Sequence, residues 1–329
     1  MRIFLAPMEE VTGHVFRRCL EQHFGGIDKY YTPFIAPASG RMLRTRELKE
    51  IAPENNEGLN VVPQILTSDA GLFLKTALEL ADRGYREVNL NVGCPSATVV
   101  NKHRGSALLK EKDSLKSLLS GIFDGMEADP GLKGMSVSVK TRTGFSSAEE
   151  LPELLELFSG FPVSELIIHA RVREAYYRGL PDLDAFDAAC RFRAEKGAGW
   201  DLCYNGNIRS ADQYKEICSR FPAAEAVMIG RGLVRNPGLA REIRTGEKMT
   251  KQELRVFHDS LYAEYCSCLG SWKDALYKMK EVWFYLGSMF EDSAKTVKKL
   301  NKADRPEKYL AAVQEIFCHE LTDTIPDTW

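Results

Sequence analysis

The chain has 329 residues, 44% of them hydrophobic and 27% charged, with 25 glycines and 14 prolines, which excludes disorder, collagen and a repeat array and leaves an ordinary globular protein. With 44 basic against 46 acidic residues the net charge is -2, so there is no uniform positive field and any contact with nucleic acid needs a local patch. The length suits one α/β barrel of about 250 residues with a small attachment. The eight cysteines, at 19, 94, 190, 203, 218, 266, 268 and 318, form no C-x-x-C and no zinc spacing, so we expect unpaired thiols in a reducing cytoplasm and no metal. MRIFLAPMEE reaches a proline and two acids before a secretory core could form, and no apolar run nears the roughly 20 residues of a membrane span. The expectation is a cytoplasmic protein without a membrane segment.

In chain order, short β-branched or apolar runs predict strands at RIFLAPM (2–8), KYYTPF (29–34), NVVPQI (60–65), REVNLNVG (86–93), MSVSVK (135–140), ELIIHA (165–170), DLCYNG (201–206) and AVMIGRG (226–232). Helix-like stretches follow several of them, among them VFRRCLEQHF, DAGLFLKTALELADRG, DSLKSLLSGIFDGM, LDAFDAACRFRAEKG and ADQYKEICSRF. Eight strands, each returned by a crossover of a dozen or more residues, predict a (β/α)8 TIM barrel. The stretches 32–60 and 93–112 read as irregular rim segments, the second long enough for a lid. After Arg244 the alternation stops. Trp272, Leu276, Met279, Trp283, Leu286 and Phe290 step by three and four along one helical stripe, and Leu310, Val313, Phe317 and Leu321 repeat the pattern, so a C-terminal all-helical domain is expected over 245–329 beside a barrel over 1–244.

Polar residues gather where the strands end: Gln64, Asn91 and Cys94, Lys140 and Arg142, His169 and Arg171, Asn205, and Arg231. A closed barrel brings such ends to one mouth. NGNIRSAD and IGRGLV supply Gly206, Gly230 and Gly232 at turns whose backbone N–H groups, with Arg231 beside them, suit a phosphate. Lys140 suits a Schiff base, a phosphate, or the electron-rich side of a flavin ring, and Gln64 and His169 could bond a pyrimidine edge. Met8 could lie against a flat ring. Cys94 sits in the turn NVGCPS, where a thiol can act as acid or nucleophile, whereas cysteines 190, 203, 218 and 266 read as packing.

The ordered set APM (6–8), NLNVGCPS (89–96), GSALLK (105–110), SVKTRTG (138–144), IIHAR (167–171), NGNI (205–208) and VMIGRG (227–232) resembles the tRNA-dihydrouridine synthases over about residues 1–244. The resemblance implies an FMN-containing barrel with a helical C-terminal domain that reduces the C5=C6 bond of particular tRNA uridines with electrons from NADPH. It implies that Cys94 protonates C5 and Asn91 holds the uracil. Pro7, Met8, Gln64, Lys140, His169, Asn205, Gly206, Asn207, Gly230 and Arg231 would hold FMN, and Arg171 would face the RNA or the cofactor phosphate. The target base would be flipped out of folded RNA. The chain departs from the family pattern at Glu10, where glycine is usual, at Gly13, where aspartate is usual, and at Asn207, where an acid is more common.

Residues 295–308 carry six cations against two anions, and Lys295, Lys298, Lys299 and Lys302 share a helical face, which suits an RNA backbone. The partners expected are therefore tRNA and NADPH, with the protein itself a monomer. The competing readings are an FMN barrel that reduces a small unsaturated molecule, a Schiff-base aldolase built on Lys140, and a non-catalytic RNA-binding module.

Overall fold

The computed structural model describes residues 1–40 and 43–325. The apolar runs become parallel strands β1 (Arg2–Leu5), β2 (Lys29–Tyr31), β3 (Val61–Val62 and Gln64–Ile65), β4 (Glu87–Asn91), β5 (Ser136–Gly144), β6 (Glu165–Val172), β7 (Asp201–Asn205) and β8 (Ala226–Ile229). Pro63 splits β3 because it has no N–H to give a ladder, yet its carbonyl still accepts from Asn89 N at 2.9 Å, while Val62 O accepts from Thr32 N at 3.1 Å. The hydrogen-bonded order starts at the first half of β3, passes through β2, β1, β8, β7, β6, β5 and β4, and ends at the second half of β3. Its two ends are one segment, so the sheet closes into a barrel. In sequence, the strands alternate with α1 (His14–His23), α2 (Ala70–Asp82), α3 (Lys112–Ala128), α4 (Leu151–Ser159), α5 (Leu183–Lys196) and α6 (Ala211–Arg220), and the C-terminal part adds α7 (Lys251–Leu269), α8 (Trp272–Leu286), α9 (Ala294–Asn301) and α10 (Pro306–Ile316). No helix among the described residues is long and apolar enough to cross a membrane.

Packing divides the chain into two compact units, one made of Met1–Pro7, Lys29–Gly206 and Ile217–Met228, the other of Met8–Asp28, Asn207–Glu216 and Ile229 onward. In the first, Phe4, Ala6, Tyr31, Val62, Ile167, Cys203, Ala226 and Met228 form a buried apolar cluster. At the N-terminal ends of its strands lies a charged floor. Lys29 Nζ bonds Glu87 at 2.9 Å and Glu165 at 3.3 Å, the Tyr31 hydroxyl donates to Glu165 at 2.6 Å, and Arg2 bonds Asp201 at 2.6 Å. Burial pushes the Glu165 carboxyl up from its ordinary value despite these partners.

Both rim stretches are more ordered than their composition suggests. Within 32–60, helix Thr45–Ile51 starts where Glu47 reaches back to accept from Arg44 N at 2.7 Å and from Ala36 N at 3.2 Å, an acid at the third helical position satisfying orphan donors. Within 93–112, the 3-10 turn Gly105–Leu109 is buried along its whole length, so this part of the expected lid is core.

In the second unit, Leu276, Met279, Trp283 and Leu286 of α8 are buried as their spacing predicts, whereas Trp272, at the first turn, is 47% exposed. The stripe expected on α10 holds at Val313 and shifts by one position at its first turn. Leu310 is exposed while Tyr309, Val313 and Ile316 are buried, because the Tyr309 hydroxyl finds partners inside: Trp283 Nε1 donates to it at 2.9 Å and His258 Nε2 lies 2.7 Å away. A polar tip that is satisfied no longer resists burial. α1 packs on α7 through an edge-on contact of Phe16 and Phe257.

Two of the departures from the family pattern have local consequences here. Glu10 takes a left-handed backbone, φ 66°, which explains a usual glycine, and Lys278 Nζ bonds both its carbonyl, at 3.1 Å, and its carboxylate. Gly13 is the N-cap of α1 and gives no side-chain cap, a role aspartate would fill.

Gly232 makes the sharpest demand on its residue type, since a Cβ there would lie 2.1 Å from the Ile208 carbonyl oxygen. Backbone cannot rotate away as a side chain can, so Gly232→Ala is expected to lower stability by about 1–3 kcal/mol, as overpacking does. Urea unfolding measures this, and an unchanged midpoint would contradict it.

Candidate active site

Strand β4 ends in a turn whose backbone is held on several sides. Asn91 Oδ1 accepts from Gly93 N at 3.0 Å and from Cys94 N at 2.9 Å. The Cys94 carbonyl accepts from the Ser106 hydroxyl at 2.8 Å, and the Gly93 carbonyl from Arg142 Nε at 2.8 Å. Gly105 closes over it in a left-handed conformation, where a Cβ would meet the Cys94 Cβ at 3.2 Å. Cys94 itself remains partly exposed. A thiol on so constrained a turn has little freedom to wander, which is what a positioned proton donor needs.

Register places the other strand-end residues beside it, with Asn91 opposite Lys140, Arg142 opposite His169, and His169 opposite Asn205. Burial lowers the Lys140 ammonium to about 8, with help from the neighbouring positive charge of Arg142 and against the opposing influence of Cys203 and Cys94. His169 Nε2 lies 3.2 Å from Arg171 Nη1. Arginine can only donate, so Nε2 is the acceptor in this pair. Arg171 also donates to the carbonyls of Gly179 at 2.6 Å and Arg178 at 3.3 Å, so it shapes the segment after β6. Asn205 Nδ2 donates to the Met228 carbonyl at 2.8 Å. Gln64 is buried between two amides, donating to Asn89 Oδ1 at 2.8 Å and accepting from Asn91 Nδ2 at 2.7 Å. Gly206 is required by its neighbour, because a Cβ would meet the Tyr204 hydroxyl at 2.1 Å. Pro7, two residues past the end of β1, is partly exposed.

In the second unit, Met8 opens a turn in which its carbonyl accepts from Val11 N and Thr12 N, at 3.1 and 3.0 Å. Arg231 follows Gly230 at the start of a short helix and donates to Asn207 Oδ1 at 2.8 Å. Lys295, Lys298 and Lys299 lie exposed on α9 and Lys302 just past its end, with Thr296 and Leu300 buried opposite. Lys299 is paired to Glu315 at 2.5 Å, which reduces its share of the positive face.

Arg142 has a larger part than its place in the sequence suggests. It is buried, bonds the carbonyls of Val172 at 3.1 Å and Tyr176 at 2.8 Å as well as that of Gly93, and so ties the Cys94 turn to the segment after β6. Burial pushes its guanidinium below the usual value. Strand alternation places 138, 140 and 142 on one face of β5 but does not signal the carbonyls that Arg142 binds.

The family model for dihydrouridine synthases (Dus) matches residues 4–322. A tRNA-dihydrouridine(16) synthase of Aquipseudomonas alcaligenes is 30% identical over 257 residues, covering 75% of this chain and 78% of that protein. One from Pseudomonas putida is 29% identical, covering 79% of each, and a probable tRNA-dihydrouridine synthase of Staphylococcus aureus is 28% identical, covering 79% and 77%. Among solved structures, morphinone reductase superposes with a TM-score of 0.51 at 11% identity, covering 78% of this chain and 88% of that one; at that identity the likeness shows the barrel fold alone.

The lowered Lys140 value has a direct readout. Below pH 8 the amine is protonated and presents a cation to a bound anion, and as pH rises through 8 that cation is lost and the free amine becomes nucleophilic. Competitive acylation read by mass spectrometry is expected to show half-maximal labelling of Lys140 near pH 8, against about 10.5 for an unperturbed lysine. A midpoint at the ordinary value would contradict the burial argument.

Proposed function

The chain belongs to the dihydrouridine synthase family, an FMN-dependent oxidoreductase family, and from that premise we propose that it reduces the C5=C6 bond of particular uridines in tRNA with NADPH as electron donor. The observation that carries the reading is the Cys94 turn: a partly exposed thiol, fixed by Asn91, Ser106 and Arg142, beside a lysine in register.

The residues present fit a flavin. Lys140 offers a cation and Gln64 the one N–H left after its bond to Asn89, donors suited to the electron-rich pyrimidine side of the ring, and His169, in register between Arg142 and Asn205, would lie along the same edge. Asn205 and Gly206 would continue this edge, with Pro7 and Met8 against the ring. Asn207, Gly230 and Arg231 would hold the phosphate. An amide at 207 accepts from Arg231 without itself cancelling the guanidinium charge, as an acid there would. FMN held there would supply the hydride for uracil C6, with NADPH as the source of its electrons.

What the chain's own groups do follows from their chemistry. Hydride arrival at C6 leaves an electron pair on the C5–C4–O4 side of the base, and Cys94 Sγ–H donates the proton that completes the C5–H bond. Asn91 has its carbonyl oxygen committed to two backbone N–H groups and one amide hydrogen to Gln64, so it can only donate to the base, and a uracil carbonyl is the partner it selects. Division of labour is proposed along the same lines, with chemistry in 1–244 and tRNA held by 245–329 through Lys295, Lys298, Lys299 and Lys302. Arg171 would support the RNA side of the mouth through the segment it bonds.

Cys94→Ala is the central test. The purified protein is expected to be yellow with extractable FMN, and the variant should keep FMN and its reduction by NADPH while reoxidation by tRNA slows by about 10² to 10⁴, the usual worth of a positioned acid. Reoxidation at the wild-type rate would remove Cys94 from the mechanism, and a protein that cannot take up FMN would overturn the reading itself.

For the RNA face, changing the four lysines to glutamate is expected to weaken tRNA binding and flatten its salt dependence by up to about one unit of slope for each phosphate no longer neutralised, with FMN content unchanged. Unaltered affinity and slope in folded protein would show the run to be solvated surface.

A further inference from the structure

A chain of side-chain hydrogen bonds runs through the barrel interior from the charged floor to the Cys94 turn. Asn91 Nδ2 donates to Gln64 Oε1 at 2.7 Å, Gln64 Nε2 to Asn89 Oδ1 at 2.8 Å, Asn89 Nδ2 to Ser138 Oγ at 3.0 Å, and Ser138 Oγ to Glu87 Oε1 at 2.8 Å. Glu87 is bonded in turn by Lys29, at 2.9 and 3.2 Å. Asn89, Gln64, Asn91 and Ser138 are all buried, so none can exchange these bonds for water.

We propose that Ser138 and Glu87 are positioning residues that set the orientation of the Asn89, Gln64 and Asn91 amides and, through them, the backbone of the Cys94 turn. An amide's oxygen and nitrogen ends are nearly the same size, so a buried amide turns over by 180° unless its neighbours forbid it. Here the two ends of the series agree. At the floor, a carboxylate bonded to an ammonium can only accept, so the Ser138 hydroxyl gives its hydrogen downward and must receive Asn89 Nδ2–H from above. That sets Asn89 Oδ1 against Gln64 Nε2, and Gln64 Oε1 against Asn91 Nδ2. At the mouth, the N–H groups of Gly93 and Cys94 can only donate, so they require an oxygen from Asn91. Every bond points the same way, and bonds aligned in series polarise and strengthen one another.

Removing the serine hydroxyl leaves Asn89 Nδ2 without its acceptor. Turning Asn89 over would then set its amide nitrogen against that of Gln64, so the disturbance is passed to Gln64 and on to Asn91. The turn loses the certainty of its acceptor although Ser138 touches neither Cys94 nor any ligand. The residue stands two positions before Lys140 on the inward face of β5, on a strand that contributes no side chain to the turn except Arg142.

Hydrogen exchange of the backbone N–H groups of Gly93 and Cys94 tests this on the protein without substrate, so the outcome does not depend on the proposed activity. Ser138→Ala is expected to speed exchange at these two amides by about tenfold while the Val139 and Ile167 amides, in the ladder of the same barrel, keep their wild-type rates. Ser138→Thr, which restores the hydroxyl, is expected to return the two amides toward the wild-type rate. If Ser138→Ala does not fold, Glu87→Gln, whose amide can turn a donor toward Ser138, is expected to move the same two amides in the same direction. Unchanged exchange at Gly93 and Cys94, or an equal rise along β5 and β6, would overturn the proposal. The consequence for catalysis rests on the reading given above: Ser138→Ala should slow flavin reoxidation by tRNA with its reduction by NADPH unchanged. Altered exchange without that kinetic effect would count against the proposed role of Cys94 and leave the positioning intact.

Discussion

Closure of the sheet through residues 61–65 is the constraint on which the remaining features depend. A segment of five residues has to serve two neighbours at once, and it can do so because the carbonyls of Val62 and Pro63 point to opposite sides, one accepting from Thr32 N and the other from Asn89 N. Proline costs the ladder one donor there, but it leaves Gln64 directly after the break, beside Asn89 in register. Without that closure β4 and β2 would be edges, and Gln64, Asn91 and Lys140 would not share an interior.

Closure also explains why alternation along a strand becomes layering across the barrel. Inward residues of β5 are Ser138, Lys140 and Arg142, and those of β4 are Glu87, Asn89 and Asn91, so neighbouring strands contribute polar groups at successive heights. On the β1, β2 and β7 side the corresponding places hold Phe4, Tyr31 and Cys203. The interior is therefore apolar on one side and hydrogen-bonded on the other. Such a mixture is stable only if the polar side satisfies itself, and the series from Asn91 to Glu87 does this without solvent.

The strands and the crossover helices are legible in the sequence because β-branched runs and helical stripes are local signals. The rim residues are legible because strand ends are where a barrel gathers polar groups, and Cys94 stands out by its turn. Ser138 and Asn89 do not stand out. A serine or asparagine inside a strand gives no sign of its partner until register brings residues 49 positions apart within 3.0 Å. Arg142 reads only as a strand end, since its part depends on the carbonyl oxygens of Gly93, Val172 and Tyr176, which no side-chain pattern announces. The stripe on α10 shifts at its first turn for a related reason. Periodicity favours Leu310 over Tyr309, but hydropathy does not know that Trp283 and His258 supply partners for a buried hydroxyl. Within 32–60, a lack of apolar periodicity conceals a helix whose start is fixed by Glu47 and whose own face is short.

Charge is distributed along the barrel axis in a way that bears on which ligands the mouth accepts. The floor sets Arg2 and Lys29 against Glu87, Glu165 and Asp201, one more anion than cations. Toward the mouth stand Lys140, Arg142 and Arg171, and the hydrogen bonds of the two arginines described above run to backbone carbonyls and the His169 ring. Between these layers the amides of Asn89, Gln64 and Asn91 each give an N–H to the next member of the series that ends at Glu87. Their oxygens are consumed within the barrel, the last of them by two backbone N–H groups. The bonds described leave a second N–H on each of Gln64 and Asn91, near the cation of Lys140. Donors and positive charge at these strand ends favour molecules rich in carbonyl oxygens and able to carry negative charge. A ligand that offered no acceptor would leave these buried donors unpaired, a cost of about 1–3 kcal/mol for each.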